Sequence, residues 1–165
     1  MITLRLRTPT WGSPYDGQSE MTGFEIPARR SRWLRAVGYG FLAELTTVLT
    51  IILIVQAYLH FVAPGLTSAE YAAFGQRVGG IVGTVGGTLY TYIFARLVVL
   101  GLSARFVEHG IVVALTAIAF SIAGSIAGHQ GVPSGYLLAS LLKLAAGALA
   151  GFLSSRSASL NRNVV

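Results

Sequence analysis

Glu44 and Lys143 are the residues of this chain best suited to chemistry, because each carries a charge into a run that is otherwise apolar. Glu44 lies about eight residues into the run 36–62, and Lys143 stands about eleven residues before the polar C-terminal tail. If both runs cross a bilayer from the same side, a rise of 1.5 Å per residue puts them ~12 Å and ~16 Å deep. A charge near the bilayer centre costs on the order of 2.5–3.5 kcal/mol on insertion scales, so each should face the bundle interior and find a partner. Glu44 with Lys143 is the natural pair. Two chemistries are open to it: a proton or ion path with Glu44 as the exchangeable carboxylate, or a buried ion pair that fixes helix order. Arg77 is a second candidate partner for Glu44 if its helix enters the membrane at Ser68. Otherwise Arg77, like Arg96, extends its side chain to the interface.

Other chemistries are excluded by what is missing. The chain has no cysteine, which removes disulfides, thiolate metal sites and Cys nucleophiles. No two of His60, His109 and His129 are four apart on one helix, so interfacial solvated histidines are expected and neither a metal nor a haem. Asp16 is the only aspartate and lies in the N-terminal segment, so no Ser-His-Asp arrangement can be placed. Gly75 to Gly87 is neither preceded by a strand nor followed by Lys-Ser/Thr, which rules out a phosphate loop. Tyr90, Tyr92 and Phe94, just beyond it, read as an interface belt facing lipid rather than a ligand cage. The expectation is a non-enzymatic protein without cofactors.

The elements that must hold Glu44 and Lys143 are membrane spans. Of 165 residues, 53% are apolar and only 11% charged, with a mean hydropathy of +0.66, which lies outside soluble composition. The fold class is therefore an all-α integral membrane protein, a four-helix transmembrane bundle with a flexible N-terminal arm. Residues 1–32 form that arm, polar and holding Pro9, Pro14 and Pro27, although Ile2, Leu4 and Leu6 alternate with polar residues as in a strand. Residues 33–154 form the transmembrane domain, with spans at about 36–62, 72–100, 110–128 and 135–153, and 155–165 are a polar tail. Thr67 and Glu70 have capping-box spacing and start the second helix. His129 to Pro133 make a turn, with Ser134 as the next N-cap.

Arginines flank these spans unevenly. Arg29, Arg30, Arg32 and Arg35, with Trp33 among them, precede the first run, Arg96 stands in the last turns of the second and Arg105 follows it, and Arg156 and Arg162 follow the fourth. The positive-inside rule then places both termini in the cytoplasm, in a cytoplasmic (inner) membrane. The net charge of +6 is a topology signal of this kind, not a nucleic-acid footprint.

Gly75, Gly79, Gly83 and Gly87 recur every fourth residue, and Thr91 and Ala95 continue the row. Such a row lets another helix backbone approach closely. Gly147 and Gly151 in the fourth run, and Ala114, Ala117, Ser121 and Ser125 in the third, offer matching small faces. The stretch Phe41-Leu42-Ala43-Glu44-Leu45-Thr46-Thr47 resembles the glutamate-bearing first helix of small multidrug-resistance transporters. That likeness covers less than one helix, and it implies four spans and export coupled to the carboxylate of Glu44. The first expectation from the residues themselves is a protein acting through helix packing, as an accessory or scaffold subunit of a membrane complex or as a homo-oligomer. A small proton-coupled transporter or channel using Glu44 is the alternative.

Overall fold

The computed structural model describes residues 28–100, 102, 104–128 and 135–162. These residues are helical apart from short connections. The strand-like alternation at Ile2, Leu4 and Leu6, the turn His129 to Pro133 and the Ser134 cap lie outside them. Five α-helices follow in order: α1 Ala28–Ala57, α2 Ser68–Ile81, α3 Gly87–Val99, α4 Phe106–Ala127 and α5 Tyr136–Arg162. A π-helical turn at Tyr58–Val62 extends α1, and another at Val82–Gly86 joins α2 to α3 in one rod. The result is four rods, and each is long and apolar enough to cross a membrane.

Helix α1 is already wound at Ala28, within the segment expected as an arm, because nothing between Pro27 and the apolar run breaks a helix. Helix α5 likewise continues past 153 to Arg162. Its last turns contain neither glycine nor proline, and Ser154 and Ser157 donate their hydroxyls back to the carbonyls of Ala150 and Leu153 at 2.9 and 3.1 Å.

Pro64 and Gly65 end the first rod. Gly65 has φ +108°, a conformation that L side chains rarely adopt. Thr67 then caps α2: its backbone N–H donates to Glu70 Oε2 at 2.9 Å while the N–H of Glu70 donates to Thr67 Oγ1 at 3.4 Å. Thr67→Ala is expected to remove about 1 kcal/mol from the first turn of α2. Faster amide exchange confined to that turn, with an unchanged global midpoint, would be the readout.

Helices α1 and α5 each pack against α3 and α4, so they stand across the bundle from each other. Successive rods run antiparallel, which brings Trp33, Arg96, His109 and Ser154 to one end. The core at that end is built from small side chains, among them Ala36, Ala95, Val98, Val113 and Ala150. Large apolar side chains point outward instead, with Leu53 69% and Leu137 73% exposed.

Small residues inside allow backbone-to-backbone contact. A Cβ built on Gly110 would strike the carbonyl oxygen of Gly147, and one built on Gly147 would strike that of Gly110. Gly151 is as tight: its Cβ would fall 2.6 Å from the carbonyl oxygen of Phe106. Gly40 makes the matching crossing between α1 and α4, where a Cβ would meet the Val113 carbonyl at 2.6 Å. Beyond this end burial thins, and Val55 is the one buried apolar residue among the described parts of the other end.

Candidate functional site

Lys143, the chain's only lysine, is buried where the tight end of the bundle gives way to the open one. Its Nζ donates to Glu44 Oε2 at 2.7 Å and to Ser121 Oγ at 2.9 Å, and Ser121 Oγ donates in turn to Glu44 Oε1. The three groups close a triangle. Both carboxylate oxygens have a donor, and two of the ammonium's donors are used. The Lys143 side chain is 5% exposed and that of Glu44 15% exposed, so this is a nearly enclosed charge pair.

Each of the four rods contributes to it. Glu44 comes from α1, Ser121 from α4 and Lys143 from α5, while α3 supplies an absence. A Cβ on Gly87 would lie 2.9 Å from Lys143 Cε and 3.7 Å from Thr47 Cγ2, so the lysine stem occupies the space that a larger residue would fill. Thr47 and Thr91 are buried alongside but return their hydroxyls to the carbonyls of Ala43 and Gly87, at 2.9 and 2.7 Å. They therefore do not compete for the charges. Farther along, Thr50 Oγ1 and Tyr90 Oη are 3.0 Å apart between α1 and the α2–α3 rod, and Tyr136 Oη donates to the Ile118 carbonyl at 2.9 Å. The arrangement ties α1 to α5 across the centre of the bundle, which their packing alone does not do.

Comparison with known proteins returns no family model, curated relative or solved structure that matches the chain. The site is therefore read from its own geometry.

Arg77 stands apart from the triangle. It is exposed on α2 and makes no ion pair among the described residues. The glycine row divides at the π turn. Gly87, Thr91 and Ala95 are buried, whereas a Cβ on Gly75, Gly79 or Gly83 would meet nothing within 4 Å. The wider turn at Val82–Gly86 re-phases the two halves, and α2 leans on the first rod through a Tyr58–Phe74 stack with centroids 3.9 Å apart and a bond from Gln56 Nε2 to Tyr71 Oη at 3.3 Å. Gly147 and Gly151 lie in the α4–α5 contact.

Three aromatic assignments change. Tyr90 bonds inward to Thr50, and Tyr92 and Phe94 pack on the core cluster instead of facing outward as a belt. His109, expected to be solvated, is buried because Trp33 lies flat on it at 4.4 Å with 12° between the rings. Its Nδ1 is 2.9 Å from the Arg105 carbonyl, which can only accept, so the proton is on Nδ1, while Nε2 is enclosed without a partner. Arg105 itself adopts φ 60°, turning that carbonyl toward the first turn of α4. His60 remains exposed. Among the described residues no three of His, Asp and Glu gather as a metal site.

Sequence reasoning missed Ser121 as the third member of the triangle and Gly87 as the slot for the lysine. The signal for Ser121 was its place on the small-residue face of α4. For Gly87 it was a row position at the depth of Thr47.

Proposed function

We propose that this chain is a small multi-pass membrane protein that acts by helix packing, assembling with a second copy of itself through the Gly75–Gly79–Gly83 face of α2. The observation that carries the reading is the empty space over those three glycines of one four-residue row, where Gly40, Gly87, Gly110, Gly147 and Gly151 are packed against neighbouring helices. A four-residue glycine row is self-complementary, and two such rows can cross with their backbones in contact. Membrane insertion is supported by the inverted exterior, with leucine, isoleucine and phenylalanine outside and alanine, glycine and valine inside. A cytoplasmic location for both ends is supported by Arg32, Arg35, Arg96, Arg105 and Arg156, which all stand at the end of the bundle where the described chain begins and ends. In this reading the charge triangle is a clasp. Transport would need Glu44 free to exchange its proton, and both of its oxygens are engaged.

The Gly79→Leu/Gly83→Leu variant tests the assembly. Since a Cβ at either position would meet nothing within 4 Å, the monomer should lose no thermal stability. Dimer seen by cross-linking and native mass spectrometry should fall by about tenfold or more, equivalent to ~1.4 kcal/mol of association free energy. Unchanged assembly would overturn the reading. Loss of a different copurifying protein would reassign the face to a partner subunit.

A further inference from the structure

At the end of the bundle that carries most of the arginines, Arg96, Leu153, Arg156, Ser157 and Ser159 line a cavity of about 520 Å³ between α3 and α5. Two arginines line it, and neither has a carboxylate partner among the described residues. The described acids are all engaged elsewhere: Glu44 with Lys143, Glu70 with Thr67, and Glu108 with Arg105.

The two arginines are also held in place. Arg96 Nη1 donates to Ser154 Oγ at 2.9 Å, and because that hydroxyl is already committed as a donor to the Ala150 carbonyl, it can only accept from Arg96. This bond uses a single guanidinium N–H and leaves the others for a ligand. Arg156 lies over the Phe152 ring, with Cζ 5.7 Å from the centroid. Ser157 and Ser159 turn their hydroxyls back to the carbonyls of Leu153 and Arg156, at 3.1 and 2.7 Å, so the walls between the arginines stay short and the space stays open.

We infer that this cavity binds a phosphoryl group, presented as the headgroup of an anionic phospholipid or as a free phosphate ester. Two planar forks that lack a counter-ion repel each other, and one phosphate with several acceptor oxygens removes that repulsion while accepting from both. Leu153 continues the lining into apolar surface, where an acyl chain would lie. The lipid form rests on the membrane reading above but not on dimerisation.

The test uses full-length protein, delipidated in detergent and observed by native mass spectrometry with dioleoylphosphatidylglycerol, dioleoylphosphatidylcholine or glycerol 3-phosphate. The wild type should retain phosphatidylglycerol about tenfold better than phosphatidylcholine, a difference of ~1.4 kcal/mol. Arg96→Gln/Arg156→Gln should erase that preference, whereas Arg77→Gln should keep it. Displacement of the lipid by millimolar glycerol 3-phosphate would identify the free ester as sufficient, and its failure to displace would identify the lipid as the source. Should the double variant unfold, Ser157→Trp fills the cavity while leaving both arginines in the sequence and should also erase the preference. Equal retention of the two lipids by the wild type, or undiminished preference in the arginine double variant or in Ser157→Trp, would overturn the site. Alkaline carbonate extraction of wild-type membranes tests the insertion reading separately, since washing the chain off would defeat that reading whatever the lipid result.

Discussion

Lys143→Met is expected to destabilise the bundle by about 3–5 kcal/mol, the range for breaking a buried ion pair on one side. The substitution keeps most of the stem that passes over Gly87, so the loss comes from the charge and not from a void. Glu44 would be left with Ser121 as its one donor, in a position where its side chain is 15% exposed. Water can reach such a carboxylate only in part, and the desolvation that Lys143 offsets would then stand uncompensated. Glu44→Gln/Lys143→Met should recover most of the loss, because the remaining amide is neutral and can still bond to Ser121. Unfolding midpoints in detergent for the two single variants and the double variant give the coupling between the sites. Additive losses would mean that the pair does not act as a clasp.

The second large effect lies at the crossing of α4 and α5. Gly110→Ala and Gly147→Ala should each cost about 3 kcal/mol or more, the upper end for overpacking. An overpacked side chain can usually turn aside, but the atom that each new methyl would strike is a main-chain carbonyl oxygen. Only separation of the two helices relieves that clash, and separation would also carry Lys143 away from Glu44. Gly79→Ala gives the internal comparison: with open space around it, the change should be neutral or stabilising by up to ~1 kcal/mol through helix propensity. Thermal unfolding followed by circular dichroism distinguishes these cases. Equal midpoints for Gly110→Ala and Gly79→Ala would contradict the close crossing.

The apolar rods and the Thr67–Glu70 cap were legible because both are written in contiguous residues. Depth along a span is also a matter of counting, which is how Glu44 and Lys143 could be set at one level before any contact was known. Rotation about the helix axis was not legible in the same way. A four-residue period describes one face only while the helix stays α, and the π turn at Val82–Gly86 has no signature in the sequence that fixes it. The row therefore divided into a buried half and an open half. His109 and Tyr90 were misjudged for a related reason: what covers them, Trp33 and Thr50, comes from a helix remote in sequence. Ser121 joined the charges through such a meeting too, across 77 positions from Glu44.

The glycine-to-glycine contacts make the molecule mechanically unequal along its length. At the end holding Gly110, Gly147 and Gly151, main chains touch, and no side chain lies between α4 and α5 at those crossings. Toward the other end, a Cβ on Gly75, Gly79, Gly83 or Gly124 would meet nothing within 4 Å, and the rods meet there through side chains such as Tyr58 and Phe74. The bundle is thus built like a pair of tongs, with main chain against main chain at the grip, side-chain contacts at the tips and the Glu44–Lys143–Ser121 triangle at the rivet. Any change in the angle between the rods is therefore met first at that rivet, where the hydrogen bonds of Lys143 to Glu44 and Ser121 join α5 to α1 and α4.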